Sequence, residues 1–309
     1  MGMVIRIGLI GIGKIARDQH IPALAADPHF KVVATVSRSG AAIDGVPTFT
    51  DFAALSAAGH KLDAVSLCTP PEGRAAIASA AIAAGLHVML EKPPGIDPAE
   101  VEHLAKEARE ANVTLFASWH SRAAGGVEPA RAWLADRRIA RVDIVWKEDI
   151  RRWHPGQEWI LDAGGFGVFD PGINALSILT AILAGPIRLD SARLEVPEER
   201  GSPIAAALQM QAGDTPVTAA FDFRQTGPQS WDIIVDTDAG RLTLSQGGSV
   251  LTLPGEAPLI TPDREYPNLY GRFASLIDAG LHDVDPTPLA LVCDALAIGQ
   301  RETVPAFAF

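Results

Sequence analysis

The chain has 309 residues, 48% hydrophobic and 20% charged, usage that excludes the disordered, collagenous and highly charged classes and leaves a folded protein. At roughly 100–200 residues per domain, two domains are expected. Lys plus Arg number 26 against 37 Asp plus Glu, a formal charge of −11, so phosphate backbones and anionic lipid are repelled and neither nucleic acid nor membrane is an expected partner.

The two cysteines, Cys68 and Cys293, lie in apolar stretches far from any second Cys or His at metal-ligand spacing. They predict buried thiols in a reducing compartment, and no metal site. The run from Val4 to Ile10 carries neither a basic segment before it nor a small-residue cleavage site after it, and no apolar stretch is long enough to span a bilayer. A cytoplasmic location is therefore expected.

From residue 4 to about 119, β-branched runs at 4–10, 31–36, 64–68, 86–90 and 113–118 alternate with Ala-rich helical stretches at 14–26, 51–58, 72–84 and 98–111. That alternation predicts a parallel α/β sheet built through right-handed crossovers. Asp97, Pro98 and Glu100 open the last of these helices in capping-box order. After residue 120 the pattern changes. Helices at about 126–137 and 171–183 precede strands at 141–150, 189–196, 204–212, 216–223, 231–236 and 241–253, several joined by short turns such as Asp238-Ala239-Gly240. A mostly antiparallel sheet follows, with helices returning at 267–279 and 287–302. The expected division is 1–120 for a dinucleotide-binding domain and 121–309 for a substrate-binding and oligomerisation domain.

The first strand runs into Gly11-Ile12-Gly13-Lys14-Ile15-Ala16. Gly8 through Gly13-Lys14 also begins like a P-loop, but Ile15 lacks the hydroxyl that would hold magnesium. In the dinucleotide reading Gly11 permits a tight turn, Gly13 lets backbone approach a pyrophosphate, and Ala16 allows close helix–strand packing. Lys14 and Ile15 open the helix beside that anion. The second strand ends at Val36 and is followed by Ser37-Arg38-Ser39, with no carboxylate for a ribose 2′-hydroxyl. Ser37 and Arg38 suit a 2′-phosphate, so NADP is favoured over NAD. Ligands of such sheets bind beyond the carboxyl ends of strands, where the sequence places Thr69-Pro70, Glu91-Lys92-Pro93 and Trp119-His120. A lysine held beside a cationic nicotinamide ring can hold or accept the proton of an alcohol being oxidised.

In the strand at 141–150, period-two alternation puts Glu148 on the apolar face with Val142, Ile144 and Trp146. A carboxylate there must be paired or must face a polar ligand. Three of the six tryptophans fall between Trp146 and Trp159, together with Glu148, Arg151, Arg152, His154 and Glu158. Such a cluster suits a sugar, whose apolar ring face stacks while its hydroxyls need donors and acceptors; it equally suits a tryptophan core under a charged rim. Asp170-Pro171 carries a helix N-cap signature. Yet Asp170, Asn174 and Ser177 also form a polar stripe on an otherwise apolar helix, and substrate hydroxyls could satisfy it.

With Gly11-Ile12-Gly13-Lys14-Ile15-Ala16, Glu91-Lys92-Pro93 and Asp170-Pro171-Gly172-Ile173-Asn174 in this order, the chain resembles the Gfo/Idh/MocA family over essentially its full length. The resemblance implies an NAD(P)-dependent sugar or polyol oxidoreductase, with a Rossmann domain followed by an α/β domain that has a large open sheet. The segments 11–20, 117–122 and 146–157 are similar to family members that oxidise C1 of an L-arabinose or D-galactose type aldopyranose to the lactone, usually with NADP. It further implies that Lys92 and Asp170 flank the anomeric carbon, that Asn174 orients its hydroxyl, and that His120, Glu148 and His154 bind ring hydroxyls, with Trp153 and Trp231 lining the pocket. Gly11, Gly13, Lys14, Ile15, Ser37, Arg38, Thr69, Pro70, Glu91 and Lys92 are the expected cofactor residues. Two departures stand out: Asn174 occupies a position where the family commonly has His, and Arg74 replaces a His often found after the Thr-Pro turn. Without that imidazole the general base is open among Lys92, Asp170 and His154. The alternatives are another polyol or inositol dehydrogenase, and a non-catalytic, cofactor-binding regulator that senses sugar. A homo-oligomer paired through the second sheet is expected.

Overall fold

The computed structural model of the chain describes residues 4–309. The chain divides into two units, Met1–His120 with Arg264–Pro286, and Ser121–Asp263 with Thr287–Phe309. The expected cut after residue 120 thus needs a correction, because 264–286 goes with the first unit and each unit is built from two pieces of chain.

In the first unit, β1 (Ile5–Ile10), β2 (Phe30–Val36), β3 (Thr48–Phe49), β4 (Ala64–Leu67), β5 (His87–Glu91) and β6 (Leu115–Ser118) form a parallel sheet in the order β3-β2-β1-β4-β5-β6. The order reverses between β1 and β4, which defines a topological switch point at their carboxyl ends. The helical stretch after β1 contains a π-helical turn over Ala16–His20 and ends as α1 (Ile21–Ala26). Helices α2 (Phe52–Ala57), α3 (Arg74–Ala83) and α4 (Pro98–Glu110) make the other crossovers. Ile10, Val36, Leu67, Val88 and Leu90 sit in one core with Leu55, Ile82 and Leu104, the burial on both faces that makes parallel strands read as continuous apolar runs. At the start of α4 the Asp97 carboxylate accepts from Glu100 N at 2.8 Å, while the Glu100 carboxylate reaches back to Ile96 N at 3.1 Å, one residue earlier than a capping box requires.

In the second unit, α5 (Val127–Leu134) leads into β7 (Ile139–Lys147), then α6 (Ile150–Trp153), α7 (Phe169–Ile182), β8 (Ile187–Pro197), β9 (Ala205–Ala212), β10 (Thr215–Asp222), β11 (Ser230–Thr237), β12 (Gly240–Ser245), β13 (Val250–Thr252) and β14 (Leu259–Ile260). Next, α8 (Glu265–Ala279) returns to the first unit, where Phe273 stacks on Phe30 and Phe116. The second unit closes with α9 (Thr287–Ile298) and β15 (Gln300–Val304). Its nine strands run β14-β13-β12-β11-β7-β10-β9-β8-β15. The sheet is mostly antiparallel, as expected, but β7 pairs with β10 and β8 with β15 in parallel.

Three predicted boundaries change. The run 241–253 is not one strand, because Gln246 and Gly247 at positive φ turn the chain between β12 and β13. The stretch 287–302 is not one helix; a Cβ at Gly299 would lie 2.4 Å from the Ala295 carbonyl oxygen, and past it the chain leaves α9 to form an edge strand. The strand at 141–150 ends at Lys147, although Glu148 still donates its backbone N–H to Asp222 O at 2.9 Å. That bond keeps Glu148 extended beside the sheet, with its side chain turned inward and 3% of the residue exposed.

Candidate active site

Gly11 follows β1 with φ +93, in the left-handed region that favours glycine. A Cβ there would stand 3.0 Å from Thr69 N, so the turn packs directly on the loop after β4. A Cβ at Gly13 would meet nothing within 4 Å, which leaves its backbone open to an approaching group. Thr69 Oγ1 is buried without a partner, and Ile15 beside the turn is 38% exposed although apolar. A bare glycine backbone, an orphaned hydroxyl and an uncovered aliphatic surface at a switch point fit a dinucleotide, which would supply hydrogen-bonding groups and planar apolar rings. Lys14 pairs with Asp18 one turn on. Ser37 is buried, and its hydroxyl is 3.1 Å from Ser39 Oγ and accepts from Ala41 N at 3.1 Å. Arg38 is exposed and has no ion-pair partner among the described residues. Pro70 is exposed beside Thr69.

Glu91, next to Lys92 in sequence, turns its side chain into the protein. Glu91 is 4% exposed. Its Oε1 accepts from the Tyr266 hydroxyl and lies 3.1 Å from His20 Nε2, while Oε2 accepts from Lys92 N at 2.6 Å. The carboxylate expected among the cofactor contacts is therefore committed inside the protein, where it fixes the backbone of Lys92. Burial alone would raise the Glu91 carboxyl, but the His20 and Tyr266 hydrogen bonds and the charges of His20 and His120 outweigh it and hold the group at about 2. Burial likewise opposes charge on His20, and Cys68, Tyr270 and Glu91 reverse that, raising the imidazole well above its ordinary range. Tyr270 completes the cluster, its hydroxyl 2.7 Å from His20 Nδ1 and donating to Ser66 Oγ at 3.2 Å. His20, Ser66, Tyr266 and Tyr270 were not singled out from the sequence, since each lies far along the chain from Glu91 or inside an apolar run.

His120, expected to bind a ring hydroxyl, pairs through Nδ1 with Glu265 at the start of α8 and stacks on Tyr266 with ring centroids 5.7 Å apart. Burial opposes charge on the imidazole, but the Glu265 carboxylate outweighs it and raises His120 above its ordinary value.

In the second unit, Glu148, His154, Trp231 and Asp170 meet. Glu148 Oε2 accepts from Trp231 Nε1 at 2.8 Å, and Oε1 is 3.2 Å from His154 Nε2. A carboxylate can only accept, so Nε2 carries a proton toward Glu148, and in the neutral ring Nδ1 is the nitrogen able to accept. Nδ1 lies 3.8 Å from Asp170 Oδ2, beyond hydrogen-bond length. Trp231 is tilted against Trp153 at 5.0 Å and stacked on Trp146 at 6.1 Å. Trp153 is 37% exposed, whereas Trp146 is 4% exposed with its indole N–H buried and unpartnered. The cluster is thus neither a closed tryptophan core nor a bare surface.

Asp170 is not an N-cap. The helix α7 starts at Phe169 after Val168, which offers no capping side chain, so Asp170 sits in the first turn. Gly172 lets this turn lie against the Phe221 ring, 3.3 Å from where a Cβ would be. Asn174, one turn on, has its Oδ1 buried without a partner. Ser177 leaves the expected stripe, because its hydroxyl donates to Asn174 O at 2.7 Å within the helix. Among the described residues no cluster of His, Cys, Asp and Glu could hold a metal ion, and no helix is long and apolar enough to cross a membrane.

Residues 5–118 match the Gfo/Idh/MocA family, an oxidoreductase family with an NAD-binding Rossmann fold. Over 305 residues the chain is 42% identical to galactose 1-dehydrogenase of Pseudomonas fluorescens, with 98% of each protein covered. It superposes on the crystal structure of a D-galactose-1-dehydrogenase protein from Rhizobium etli with a TM-score of 0.95 at 50% identity, covering 100% of this chain and 99% of that one. A 3-ketoreductase from Actinomadura kijaniata in complex with NADP and TDP-benzene shares the fold, with a TM-score of 0.81 at 19% identity over 97% of this chain and 99% of that one. On a full-length relationship of this strength, together with a dinucleotide cradle at the switch point, the chain belongs to the Gfo/Idh/MocA family and is an NAD(P)-dependent oxidoreductase.

Proposed function

We propose that the protein oxidises C1 of an aldopyranose of the L-arabinose or D-galactose type to the aldonolactone, with NADP as the preferred hydride acceptor. The observation that carries this reading is the whole-chain similarity to two proteins named for galactose 1-dehydrogenation. The second unit supplies chemistry suited to a sugar: the Trp153 and Trp231 rings for an apolar ring face, His154 Nδ1 as an acceptor, and the orphaned Asn174 Oδ1 for the anomeric hydroxyl. When bound, a dinucleotide would supply the hydride acceptor. Lys92 and Asp170 handle the hydroxyl proton, Asn174 orients the hydroxyl, and Glu148 holds His154 in the tautomer that accepts. His120 is proposed as a further sugar contact. L-Arabinose and D-galactose share their configuration from C2 to C4, so one pocket can take both.

The preference for NADP rests on Ser37-Arg38-Ser39, where an exposed, unpaired guanidinium follows β2 and no carboxylate is present. A homo-oligomer through the open face of the second sheet belongs to the same reading. Val145, Ala220 and Ile234 are half-buried on that face between polar neighbours, and light scattering would measure the assembly. The test of the reaction is nicotinamide absorbance with a panel of aldoses and inositols, using NADP and NAD in parallel. Lactone formation from galactose and arabinose is expected. Activity with inositols alone would refute the substrate, and cofactor binding without turnover on any sugar would favour the regulator.

A further inference from the structure

Arg74 opens α3 directly after Gly73, yet its residue is only 2% exposed, and its side chain ranks among the largest buried ones. Its guanidinium reaches three backbone carbonyls. Nε donates to Thr69 O at 3.0 Å, Nη2 donates to the same oxygen, and Nη1 donates to both Glu91 O and Pro93 O. Among the described residues, no carboxylate stands within salt-bridge distance of it. Burial draws the guanidinium down to about 10 against the opposing charge of Glu91, so it remains a cation at neutral pH. Taking such a charge out of water is costly. An apolar residue at this helix start would avoid that cost, so the arginine calls for an explanation in what it holds.

The three carbonyls belong to two loops. Thr69 O lies in the turn after β4, where Thr69 N and Cγ2 pack against Gly11, and Glu91 O and Pro93 O lie on either side of Lys92. Glu91 Oε2 already holds the Lys92 N–H. The Lys92 backbone is therefore fixed through its own amide by Glu91 and through both flanking carbonyls by Nη1 of Arg74. We propose that Arg74 is a positioning residue that ties the cofactor-side turn at Thr69-Pro70 to the Lys92 loop, and so sets where Lys92 stands relative to the dinucleotide. This inference rests on the proposed role of Lys92 in proton transfer. The planar fork delivers four N–H donors to three carbonyls, from Nε and Nη2 on one edge and from Nη1 on the other; an ammonium of the same charge offers three donors from a single point.

The experiment compares wild type with Arg74→Lys and with Arg74→Ala, the latter with and without millimolar guanidinium. Dinucleotide Kd is read from fluorescence titration, and kcat and sugar KM from steady-state rates, all at a temperature where circular dichroism shows the variant folded. Arg74→Lys should raise the dinucleotide Kd and lower kcat, each by about tenfold or more, and leave sugar KM within about twofold. Guanidinium should restore part of both parameters to Arg74→Ala. Unchanged Kd and kcat in Arg74→Lys would overturn the inference, and so would a loss that merely tracks the unfolded fraction. Should neither variant fold, nitrogen-15 spectra of wild type decide: an exchange-protected arginine Nε–H signal must shift on adding NADP, and a signal that stays put overturns the inference. Wild type that binds dinucleotide but oxidises no aldose would instead sink the proposed reaction, a result separate from the Arg74 comparison.

Discussion

The buried pair of His20 and Glu91 makes a prediction whose size follows from its surroundings. A glutamate held at about 2 instead of its ordinary 4.5 is stabilised in its charged form by about 3 kcal/mol, at ~1.4 kcal/mol per tenfold. The sign follows from linkage. Glu91 is depressed, so its contribution is full above the unfolded value and is lost as pH falls: about 1 kcal/mol is gone by pH 4 and about 2 kcal/mol by pH 3. His20 is raised, so its contribution is full below the ordinary imidazole value and is lost as pH climbs through the raised one. The pair therefore stabilises the fold most between about pH 4.5 and 6.5, and less on either side.

Glu91→Gln keeps the shape and removes the charge. Near pH 6 it should destabilise the protein by about 3 kcal/mol, because the imidazolium loses its anion in a buried site and Lys92 N faces an amide in place of a carboxylate. By pH 3 the gap between wild type and variant should shrink by about 2 kcal/mol. Urea unfolding of both proteins at matched pH, followed by fluorescence and circular dichroism, measures it. Comparing the two proteins at each pH cancels the titrating groups that do not interact with Glu91, so that the difference reports the His20–Glu91 pair. Parallel profiles from pH 3 to 6 would refute the ion pair, whatever the absolute stabilities.

Replacing Lys92 by Ala should lower kcat by about a hundredfold or more while dinucleotide Kd from fluorescence titration holds within about threefold; an unchanged rate removes Lys92 from proton transfer. Arg38→Ala should cut kcat/KM for NADP by about tenfold to a hundredfold, the worth of one charge-assisted phosphate contact, and change the value for NAD by less than about threefold. Equal losses with both cofactors would mean that Arg38 does not read the 2′-phosphate. Trp231→Phe strips Glu148 Oε2 of its indole donor. It should destabilise the protein to urea by about 1–3 kcal/mol and raise galactose KM; equal stability would show that water reaches Glu148.

What the sequence displayed and what it concealed differ by the distance over which a residue finds its partner. The Gly11 turn, the alternating strands and the anomaly at Glu148 were legible because each is a local matter of torsion, periodicity or face. Glu148 betrayed itself only as a carboxylate on an apolar face; its two partners, Trp231 and His154, needed the fold. The long-range groups gave no signal. Tyr266 meets Glu91 across 175 positions, Tyr270 meets His20 across 250, and Glu265 meets His120 across 145. All three approach from α8, a helix that reads as an ordinary amphipathic segment and whose return to the first unit defeats a single domain cut. Arg74 was visible only as a missing histidine.

A motif can therefore stand out in a sequence while the contacts of its residues do not. In Glu91-Lys92-Pro93 the glutamate makes its contacts inside the protein. Its oxygens are held by Tyr266, His20 and Lys92 N, and its carbonyl by Arg74. Carboxylate and guanidinium thus grip the same short segment from opposite chemical senses, one accepting from its amide and one donating to its carbonyls. If that shared grip is what matters, Glu91→Gln and Arg74→Lys should fail to add. The double variant should lose less kcat than the product of the two single losses, since either change alone already frees the Lys92 backbone. Strict additivity would mean that the two residues act on Lys92 independently, and that the loop is held by something else.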